Sequence, residues 1–447
     1  MAYENQFKKV AVLGAAGKMG SGILLLAAIE MAKIKFQQCD SDTDYILYAM
    51  DVSEEGLEGV MTYINKQVRK NGERYPELVK GYYTGNDQGL TDDALLEKYV
   101  SDVTKLIKPV TQLRSLVDVD TVFEAVSEDK GLKVKILAEI ENNNPGQTWY
   151  FTNTSSIPIH ELDKAAGLHG RIIGFHFYNP PAIQKLVEVI ESEVTVSGLK
   201  EFAHSLIERM GKIMVPANDI AGFIGNGHFM RDSLFGIQQA EIFYRDIPFS
   251  LAVYMVNRIS SRLLLRPMGI FQLIDYVGID VVRLIMKVMN ERIVGENIHS
   301  PLLDKLMEQG VRGGQNPDGS RKNGFFKYDG GKISGVYDLE SKSYKPVSGL
   351  KEEADKNLGA KPSDIPVWKE IIKDPEKEQK IRNYFIELAE TDSTGAKLAM
   401  EFGKNSKEIA EKLVLDKVAF SDKDVNTVLK RGFFHAYGPV NNYFNKL

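Results

Sequence analysis

Cysteine is nearly absent from this 447-residue chain, in which Cys39 is the single example. One thiol cannot close an internal disulfide and cannot build a cysteine zinc site, so we expect neither a disulfide framework nor a bound metal. Basic runs are also lacking, and the formal net charge is −5. A chain with this charge gives no reason to expect nucleic acid as a partner.

Long apolar runs are missing as well. The longest, Ile23 to Ile29, is far shorter than the roughly 20 residues that a membrane-spanning helix needs. Met1 to Lys9 is polar and lacks the charged start and apolar centre of a signal peptide. We therefore expect a cytoplasmic protein without a membrane segment. The length allows about three domains, and 43% hydrophobic and 26% charged residues are typical of a globular protein.

What the chain does have is a glycine cluster near its start. The apolar residues Val10 to Leu13 run directly into Gly14, Gly17 and Gly20, and an apolar segment follows. This order predicts a strand, a tight turn and a helix: Gly14 turns the backbone away, Gly17 leaves room for a pyrophosphate, and Gly20 lets the helix approach the sheet. The helix N-terminus would offer N–H groups to the phosphates. The spacing is one residue longer than usual, and an ordinary strand–turn–helix without a ligand is the alternative.

A second predicted strand, Tyr45 to Met50, ends in the carboxylate of Asp51. A carboxylate at this position accepts hydrogen bonds from an adenosine ribose and repels a 2′-phosphate, so it favours NAD over NADP. The separation of Gly20 and Asp51 exceeds the expected ~20 residues, which we attribute to an insertion at Gln37 to Asp44. The alternative is that Asp51 is a solvated turn residue.

Small hydroxyl residues follow the strand predicted at Trp149 to Thr152. Ligands of parallel sheets bind at the carboxyl ends of strands, so Ser155 and Ser156 lie where a substrate is expected. The alternative is that one of these serines caps the helix that opens at Pro158. Strands and helices alternate along this part of the chain. The remaining predicted elements are a strand at Thr121 to Val126, helices at Gly131 to Ile140 and Ser197 to Gly211, and a strand at Lys212 to Pro216.

The most informative stretch runs from Ile172 to Pro181. Asn179 and the two prolines after it cannot continue a central strand, so the chain turns and returns antiparallel as Leu186 to Ile190. A turn of this length brings His176 opposite Glu188. The carboxylate would fix the imidazole tautomer, stabilise the imidazolium and leave the other ring nitrogen as a general base. A structural histidine is the alternative.

The rest of the chain is mostly helical, beginning with a long helix at Gly222 to Phe243. Asn226 lies one turn into that helix, where we expect an interdomain cleft; a helix-surface amide is the alternative. A faint repeat relates Phe249 to Gly269 with Phe420 to Gly438, and a loop that could hold a small hairpin separates them at Arg312 to Ser348. The predicted domains are residues 1–217, 218–345 and 346–447, the last a degenerate copy of the second.

These motifs resemble, in their order, those of the L-3-hydroxyacyl-CoA dehydrogenases. Gly174 to Pro181 is similar to the family's G-x-H-F-F-N-P segment, and the 12 positions from His176 to Glu188 equal the family's spacing. The resemblance implies an α/β fold: an N-terminal Rossmann-type doubly wound sheet, followed by an all-helical C-terminal domain. Four further segments match: Asn153 to Ser156 (N-T-S-S), Gly222 to Asn226 (G-F-I-x-N), Arg266 to Gly278 (P-M-G-P-x-x-L-x-D-x-V-G) and Gly324 to Tyr328 (G-F-Y-x-Y).

The resemblance also implies a role for the matched residues of the reaction site. His176 would be the base that takes the hydroxyl proton while hydride passes from the substrate to nicotinamide. Glu188 would orient His176 and support its charge. Ser155 and Asn226 would bind the reacting oxygen or the thioester carbonyl, and Asn179 would contact the substrate beside them.

The cofactor that the resemblance implies is NAD, and the implied substrate is an acyl-CoA. Asp51 would hold the ribose, and Glu124 and Lys133 would contact the cofactor. Lys66 and Lys70 belong to a small basic cluster that we expect to meet the anionic tail of the substrate; a solvated helix face is the alternative. The pyrophosphate contacts would come from the glycine loop, namely Gly14, Gly17, Lys18, Met19 and Gly20.

Two departures from the family pattern concern substrate and assembly. Gly225 and Gly227 flank Asn226 where the family usually has a larger apolar residue and arginine, which would loosen Asn226 or widen the acyl pocket. About 100 further residues follow the G-F-Y-x-Y segment. We expect this tail to pack on the first helical domain, which would give a monomer with an internal pseudo-dimer; a homodimer is the alternative.

The sequence therefore predicts an NAD-dependent enzyme of fatty acid metabolism, of the β-oxidation type. It would interconvert an L-3-hydroxyacyl-CoA and a 3-ketoacyl-CoA, with a His–Glu pair as the general base. One alternative is a dehydrogenase of a free 3-hydroxy acid. Another is a non-catalytic protein that binds acyl-CoA or NAD. The intact pair of His176 and Glu188 argues against this second alternative.

Overall fold

The structure, a computed structural model, describes residues 3–38, 44–83, 90–146, 148–316 and 319–445. Cys39 and most of the insertion predicted at Gln37 to Asp44 lie outside the described residues. The chain divides into two compact units, Met1–Asp219 and Ile220–Leu447. The boundary predicted after residue 217 lies close to this division, and the boundary predicted after residue 345 falls inside the second unit.

Among the described residues of the first unit, eight strands form a single sheet and seven α-helices lie between them. The strands are β1 (Lys9–Leu13), β2 (Ile46–Met50), β3 (Ile107–Val110), β4 (Thr121–Glu124), β5 (Trp149–Thr152), β6 (Ile172–Phe177), β7 (Leu186–Glu191) and β8 (Ile213–Asn218). The helices are α1 (Lys18–Gln38), α2 (Glu54–Arg74), α3 (Pro76–Tyr82), α4 (Asp92–Lys105), α5 (Lys130–Asn143), α6 (Ile159–Ala166) and α7 (Ser197–Arg209).

The strand order is β3-β2-β1-β4-β5-β6-β7-β8, with every neighbouring pair parallel except β6 and β7. The order reverses between β1 and β4. Ligands of such sheets bind outside the carboxyl ends of the strands, next to this reversal. The predicted doubly wound sheet is confirmed, and its ligand edge is the one at which Leu13, Met50 and Glu124 end their strands.

Hydrophobic spacing explains why the connecting segments are helical. In α2, the side chains of Leu57, Val60, Ile64 and Val68 are buried and recur every three or four residues, so one stripe of the helix packs into the hydrophobic core of the first unit. Ser53 accepts a hydrogen bond from the backbone N–H of Gly56 and caps the helix. The segment after Asp51 is mostly polar, and these few apolar residues are the ones that α2 buries.

The sequence analysis did not predict strand β3. It has only four residues and contains Pro109, which lacks the N–H that a central strand must donate. Proline is tolerated here because β3 lies at the edge of the sheet and pairs only with β2. The helical pattern on both sides of Ile107 to Val110 concealed it.

The second unit is mainly helical and also contains a small sheet. The segment predicted as a loop with room for a small hairpin, Arg312 to Ser348, contains three antiparallel strands among its described residues. Phe326, Val336 and Tyr337 are buried, and glycines form the turns. The elements are α8 (Phe223–Phe243), α9 (Phe249–Arg258), α10 (Ile270–Val277), α11 (Ile279–Asn290), α12 (Pro301–Glu308), β9 (Phe326–Asp329), β10 (Lys332–Asp338), β11 (Ser343–Pro346), α13 (Val347–Leu358), α14 (Trp368–Ile371), α15 (Lys377–Glu390), α16 (Thr394–Leu415) and α17 (Asp422–Arg431).

Helix α16 packs on α8, so the segments predicted as separate second and third domains share one hydrophobic core. A Cβ at Gly227 would lie 3.0 Å from a methyl group of Leu413. On α8, His228 Nε2 also lies 3.0 Å from the backbone oxygen of Ser406. Gly227 therefore admits α16, a role that the sequence analysis did not predict. Its expected effect on Asn226 or on the acyl pocket stays a prediction. That residues 346–447 are a degenerate copy stays a prediction.

In the part of the chain that the structure describes, no helix combines the length and the apolar composition that crossing a bilayer requires.

Candidate active site

The glycine loop between β1 and α1 depends on the absence of side chains. Gly14 has a φ of 70°, and a Cβ there would lie 2.6 Å from the carbonyl oxygen of Ala125. Gly17 N–H donates to the Gly14 carbonyl at 2.9 Å and closes the turn. A Cβ at Gly20 would collide with the Gly14 carbonyl, so this glycine lets the start of α1 lie close to the residue that follows β1. Lys18 and Met19 form the first turn of α1, where Lys18 is exposed.

Asp51 ties the end of β2 to this loop. Its Oδ2 accepts a 3.0 Å hydrogen bond from the backbone N–H of Ala16, and its Oδ1 accepts one of 3.2 Å from Ser53. Its own N–H donates to the carbonyl of Val110, at the end of β3. A cavity of about 720 Å³ opens beside Val110, lined by Glu54, Leu57, Glu58, Met61, Pro109, Val110, Thr111, Gln112 and Ser115.

His176 and Glu188 are direct register partners on the antiparallel strands β6 and β7, as predicted. His176 Nδ1 lies 2.8 Å from Glu188 Oε2. The carboxylate is fully buried, and the histidine is 9% exposed. Tyr178, which follows β6, donates a 2.9 Å hydrogen bond from its hydroxyl to the same Oε2. The arrangement fixes the imidazole ring against a buried negative charge.

Asn153 supports this strand end. Its side-chain oxygen accepts a 2.8 Å hydrogen bond from the backbone N–H of Phe177, so the loop after β5 is fixed to the last residue of β6. Ser155 lies two residues further along that loop and is half-buried. The N-T-S-S segment and the histidine strand are therefore joined at the carboxyl edge of the sheet.

Glu128 organises the serine loop. Its Oε1 accepts hydrogen bonds from the backbone N–H groups of Ser155 and Ser156, at 2.9 and 3.0 Å, and from the hydroxyl of Thr154 at 2.7 Å. Burial raises the pKa of Glu128, but the charge of Lys133 and these hydrogen bonds outweigh burial and bring the pKa below its ordinary value. The carboxylate is therefore ionised and holds the loop.

The alternative interpretation, in which Ser155 or Ser156 caps α6, is wrong. Asp219 performs that role from the end of β8, because its two carboxylate oxygens accept the backbone N–H groups of Ile159 and His160 at 2.5 and 2.7 Å. The serines are engaged with Glu128 instead. Two carboxylates thus divide the N–H donors of this segment between them.

Glu124 and Lys133 form a buried ion pair beneath the same loop. Lys133 Nζ lies 2.7 Å from Glu124 Oε1 and 3.4 Å from Glu128 Oε2. Thr152 donates to the other oxygen of Glu124 at 2.6 Å. Burial lowers the pKa of Lys133, but the charges of Glu124 and Glu128 outweigh burial and raise the pKa above its ordinary value. The pair supports the serine loop, and its contact with the cofactor stays a prediction.

The predicted substrate residues lie in different places. Asn179 follows Tyr178 and is half-buried, while Asn226 is the fourth residue of α8 in the second unit. Lys66 and Lys70 are both exposed on α2. Of these two lysines, Lys70 lines a groove of about 820 Å³ on the first unit.

That groove lies among α1, α2, the turn between β6 and β7 and the start of β8. Lys212 Nζ donates to the carbonyl oxygens of Pro181 and Gln184, at 2.6 and 2.7 Å, and thereby holds the turn. Burial, assisted by the charge of Lys185, lowers the pKa of Lys212 to about 8. The basic side chains that line the groove are Lys33, Lys70, Arg74, Lys185, Arg209 and Lys212.

Comparisons with known proteins agree with this geometry. Residues 9–220 match the sequence model described as "3-hydroxyacyl-CoA dehydrogenase, NAD binding domain", and residues 252–323 match the C-terminal domain of the same family. The chain belongs to the 3-hydroxyacyl-CoA dehydrogenase family. Its first unit carries the NAD-binding domain of that family of oxidoreductases, so the predicted cofactor is confirmed.

Two curated relatives illustrate the similarity. A probable 3-hydroxybutyryl-CoA dehydrogenase of Bacillus subtilis is 29% identical over 327 residues, which are 72% of this chain and 98% of that protein. A fatty acid oxidation complex subunit alpha of Vibrio parahaemolyticus is 30% identical over 340 residues, 73% of this chain. The match spans only 40% of the length of that subunit.

Solved structures show the same fold. FadB2 of M. tuberculosis has a TM-score of 0.53 and 28% identity, and the match covers 72% of this chain and 99% of FadB2. The 3-hydroxybutyryl-CoA dehydrogenase of Escherichia coli has a TM-score of 0.63 and 20% identity, covering 97% of this chain and 90% of that chain. At this identity the second match shows the fold alone, but it extends over both units.

Sequence reasoning missed two residues of this site. Glu128 stands four residues after Glu124 and just before Lys133, and a second acid next to a buried strand and a buried lysine was the available signal. Tyr178 stands two residues after His176, which places both side chains on one face of an extended segment. The sequence shows this spacing, but it does not show that the Tyr178 hydroxyl donates a hydrogen bond to Glu188.

Proposed function

We propose that the protein interconverts L-3-hydroxyacyl-CoA and 3-ketoacyl-CoA with NAD, and that His176 is its general base. The observation that carries this proposal is the buried contact of 2.8 Å between His176 Nδ1 and Glu188 Oε2. A carboxylate on one ring nitrogen fixes the tautomer and stabilises the imidazolium that forms when the ring accepts a proton. The names of the curated relatives support the same reaction class.

The residues present fit a dinucleotide. Gly14 and Gly17 leave the loop free of side chains where a pyrophosphate approaches the start of α1. Asp51 joins this loop to the cavity at the end of β3, and Glu54 and Glu58 add negative charge to the cavity lining. This acidic surface suits the ribose hydroxyls of NAD and repels the 2′-phosphate of NADP.

NAD, when bound, accepts a hydride from the substrate in the oxidation direction. His176 moves the accompanying proton. Because Nδ1 faces Glu188, the proton of the substrate hydroxyl passes to Nε2, and Glu188 balances the positive charge that results. In the reduction direction the same nitrogen returns the proton to the forming hydroxyl.

Hydrogen bonds to Glu128 support the proposal that Ser155 binds the substrate. Glu128 accepts both its backbone N–H and, at 3.4 Å, its hydroxyl, so the side chain is oriented by a fixed loop. Its proposed role is to hydrogen-bond the reacting oxygen. Asn179 and Asn226 are proposed to bind the remaining substrate oxygens.

The basic groove favours a thioester of coenzyme A over a free hydroxy acid. Phosphates of the coenzyme need cations, and Lys70, Arg74 and Lys185 line the groove together with apolar side chains such as Leu25 and Ile29. A small free acid would need neither the length of the groove nor its several cations. Lys66 lies outside this lining, so Lys70 is the better-supported contact of the two.

Oxidation of NADH with acetoacetyl-CoA, compared with free acetoacetate, tests this proposal. We expect saturable turnover with the thioester and turnover at least ~100-fold lower in kcat/KM with the free acid, because the groove contacts are lost. Faster turnover of the free acid would favour a dehydrogenase of a free 3-hydroxy acid. Saturable binding of NADH without turnover of either compound would favour a non-catalytic binding protein.

A further inference from the structure

Tyr178 contacts both members of the His176–Glu188 pair. Its hydroxyl donates a 2.9 Å hydrogen bond to Glu188 Oε2, the oxygen that also lies 2.8 Å from His176 Nδ1. Its ring packs beside the imidazole, with the two ring centroids 5.0 Å apart. One carboxylate oxygen therefore serves two donors.

Local geometry explains the arrangement. Side chains two residues apart in an extended segment point to the same face, so Tyr178 and His176 both reach the strand that carries Glu188. His176 and Tyr178 are titratable groups that contact Glu188, whose register partner on β8 is Val215.

The Tyr178 hydroxyl acts as a donor over the whole range in which the protein would work. Burial, reinforced by the charge of Glu188, raises the pKa of Tyr178 well above its ordinary value. An ionised carboxylate has no proton to give, so the tyrosine hydroxyl donates and Glu188 accepts. The hydrogen bond therefore withdraws part of the negative charge that Glu188 presents to the imidazole.

We propose that Tyr178 is a positioning residue that weakens His176 as a base by sharing the carboxylate of Glu188. A carboxylate with a second donor stabilises an imidazolium less than one whose charge faces the imidazole alone. The catalytic meaning of this tuning rests on the proposed function, but the coupling itself does not.

The test is a titration of His176 that needs no turnover. Histidine ring nitrogens are followed by NMR in the wild type and in Tyr178→Phe, and His176→Gln identifies the signal among the seven histidines. We expect the midpoint of the His176 titration to rise by about half a unit to one pH unit in Tyr178→Phe. An unchanged or lowered midpoint in the folded variant overturns the proposal.

Tyr150→Phe is the matched control. Tyr150 is also a buried tyrosine of the first unit, and its hydroxyl donates a 3.0 Å hydrogen bond to another carboxylate, that of Glu141. Losing this bond should affect stability in a similar way but leave the His176 midpoint unchanged. An equal shift in both variants would mean that the change reports general loosening, which contradicts a specific role of Tyr178.

A second variant, expected to shift the His176 midpoint in the opposite direction, tests the proposal if Tyr178→Phe fails to fold. Site-specific 3-fluorotyrosine at position 178 keeps the ring and has a more acidic hydroxyl, which donates a stronger hydrogen bond to Glu188. We expect the His176 midpoint to fall in this protein, and a rise or no change overturns the proposal. If the wild type turns over substrate, the pH of half-maximal oxidation should move in parallel. Absence of turnover would count against the proposed function alone.

Discussion

The Glu128 carboxylate accepts hydrogen bonds from both the backbone N–H and the hydroxyl of Ser156, at 3.0 and 2.9 Å. The same oxygen accepts the backbone N–H of Ser155. Lys133 approaches the other oxygen to 3.4 Å and is itself paired with Glu124. A buried network of charges thus fixes the loop that carries the proposed substrate-binding serine, and the loop depends on a residue that need not touch the substrate.

Glu128→Gln should therefore lower stability and substrate affinity together. Removing the charge leaves Lys133 partly unpaired and should lower the free energy of unfolding by about 1–3 kcal/mol at neutral pH. Because the folded-state pKa of Glu128 is lowered, its stabilising contribution is complete above the ordinary glutamate pKa of about 4.3 and is lost as the pH falls through the folded value. The stability difference between wild type and variant should thus shrink in acid.

Denaturant unfolding at a series of pH values measures this difference. Glu139→Gln is a suitable control, since Glu139 is an exposed acid on the same helix, α5. A constant difference between wild type and Glu128→Gln at all pH values would contradict the assignment of the lowered pKa.

Asp51 should set the choice of cofactor. Asp51→Ser removes the charge beside the glycine loop while keeping a hydroxyl for the backbone N–H of Ala16. We expect the wild type to prefer NADH over NADPH, and the variant to lose about tenfold of that preference because repulsion of the 2′-phosphate decreases. Ratios of kcat/KM for the two cofactors measure it. The neighbouring Glu55→Gln should leave the ratio unchanged, and an equal effect of both substitutions would assign the preference to the general acidity of α2.

Lys70 and Lys66 offer a test of the basic groove. Both lysines are exposed on α2, but only Lys70 of the two lines the groove. Lys70→Glu should raise KM for acetoacetyl-CoA about tenfold with little change in kcat, and the effect should decrease as salt is added. Lys66→Glu should change KM less than twofold. Equal increases in KM for both variants would mean that the coenzyme phosphates bind elsewhere, or that KM depends on the overall charge of the protein and not on this groove.

The packing of α16 on α8 predicts that the chain is a monomer. Leu413 and Ser406 of α16 occupy the α8 surface at Gly227 and His228. Light scattering of the full-length chain should give a mass near 50.1 kDa. Gly227→Leu should destabilise the protein, because the new side chain meets Leu413. A dimer of the intact chain would contradict the predicted internal pseudo-dimer.

The His176–Glu188 pairing could be predicted because it is local in the sequence. Two short apolar strands on either side of a turn containing two prolines bring the residues 12 positions apart opposite each other in the antiparallel register. The glycine loop was predictable for the same reason. The family resemblance added the roles of these residues, which spacing alone does not provide.

The errors occurred where distant residues decide the structure. For Ser155 and Ser156 the sequence left two interpretations open, since nothing near them reveals that Asp219 accepts the N–H groups of α6. The contact of Gly227 with Leu413 could not be predicted either, because Leu413 comes from a helix far along the chain. The expected effect of Gly227 on the acyl pocket stays a prediction. Local patterns cannot show which of two competing acceptors or neighbours a fold will supply.

The most direct test of the account is the kcat for acetoacetyl-CoA of Glu188→Gln beside that of Glu191→Gln. Both glutamates lie on β7, but Glu191 is partly exposed and pairs with Lys200 at 2.9 Å, whereas Glu188 is buried against His176. The account predicts a fall of at least ~100-fold for Glu188→Gln, less than twofold for Glu191→Gln, and intact NADH binding in both. Turnover of Glu188→Gln within a few-fold of Glu191→Gln would contradict a general base supported by Glu188.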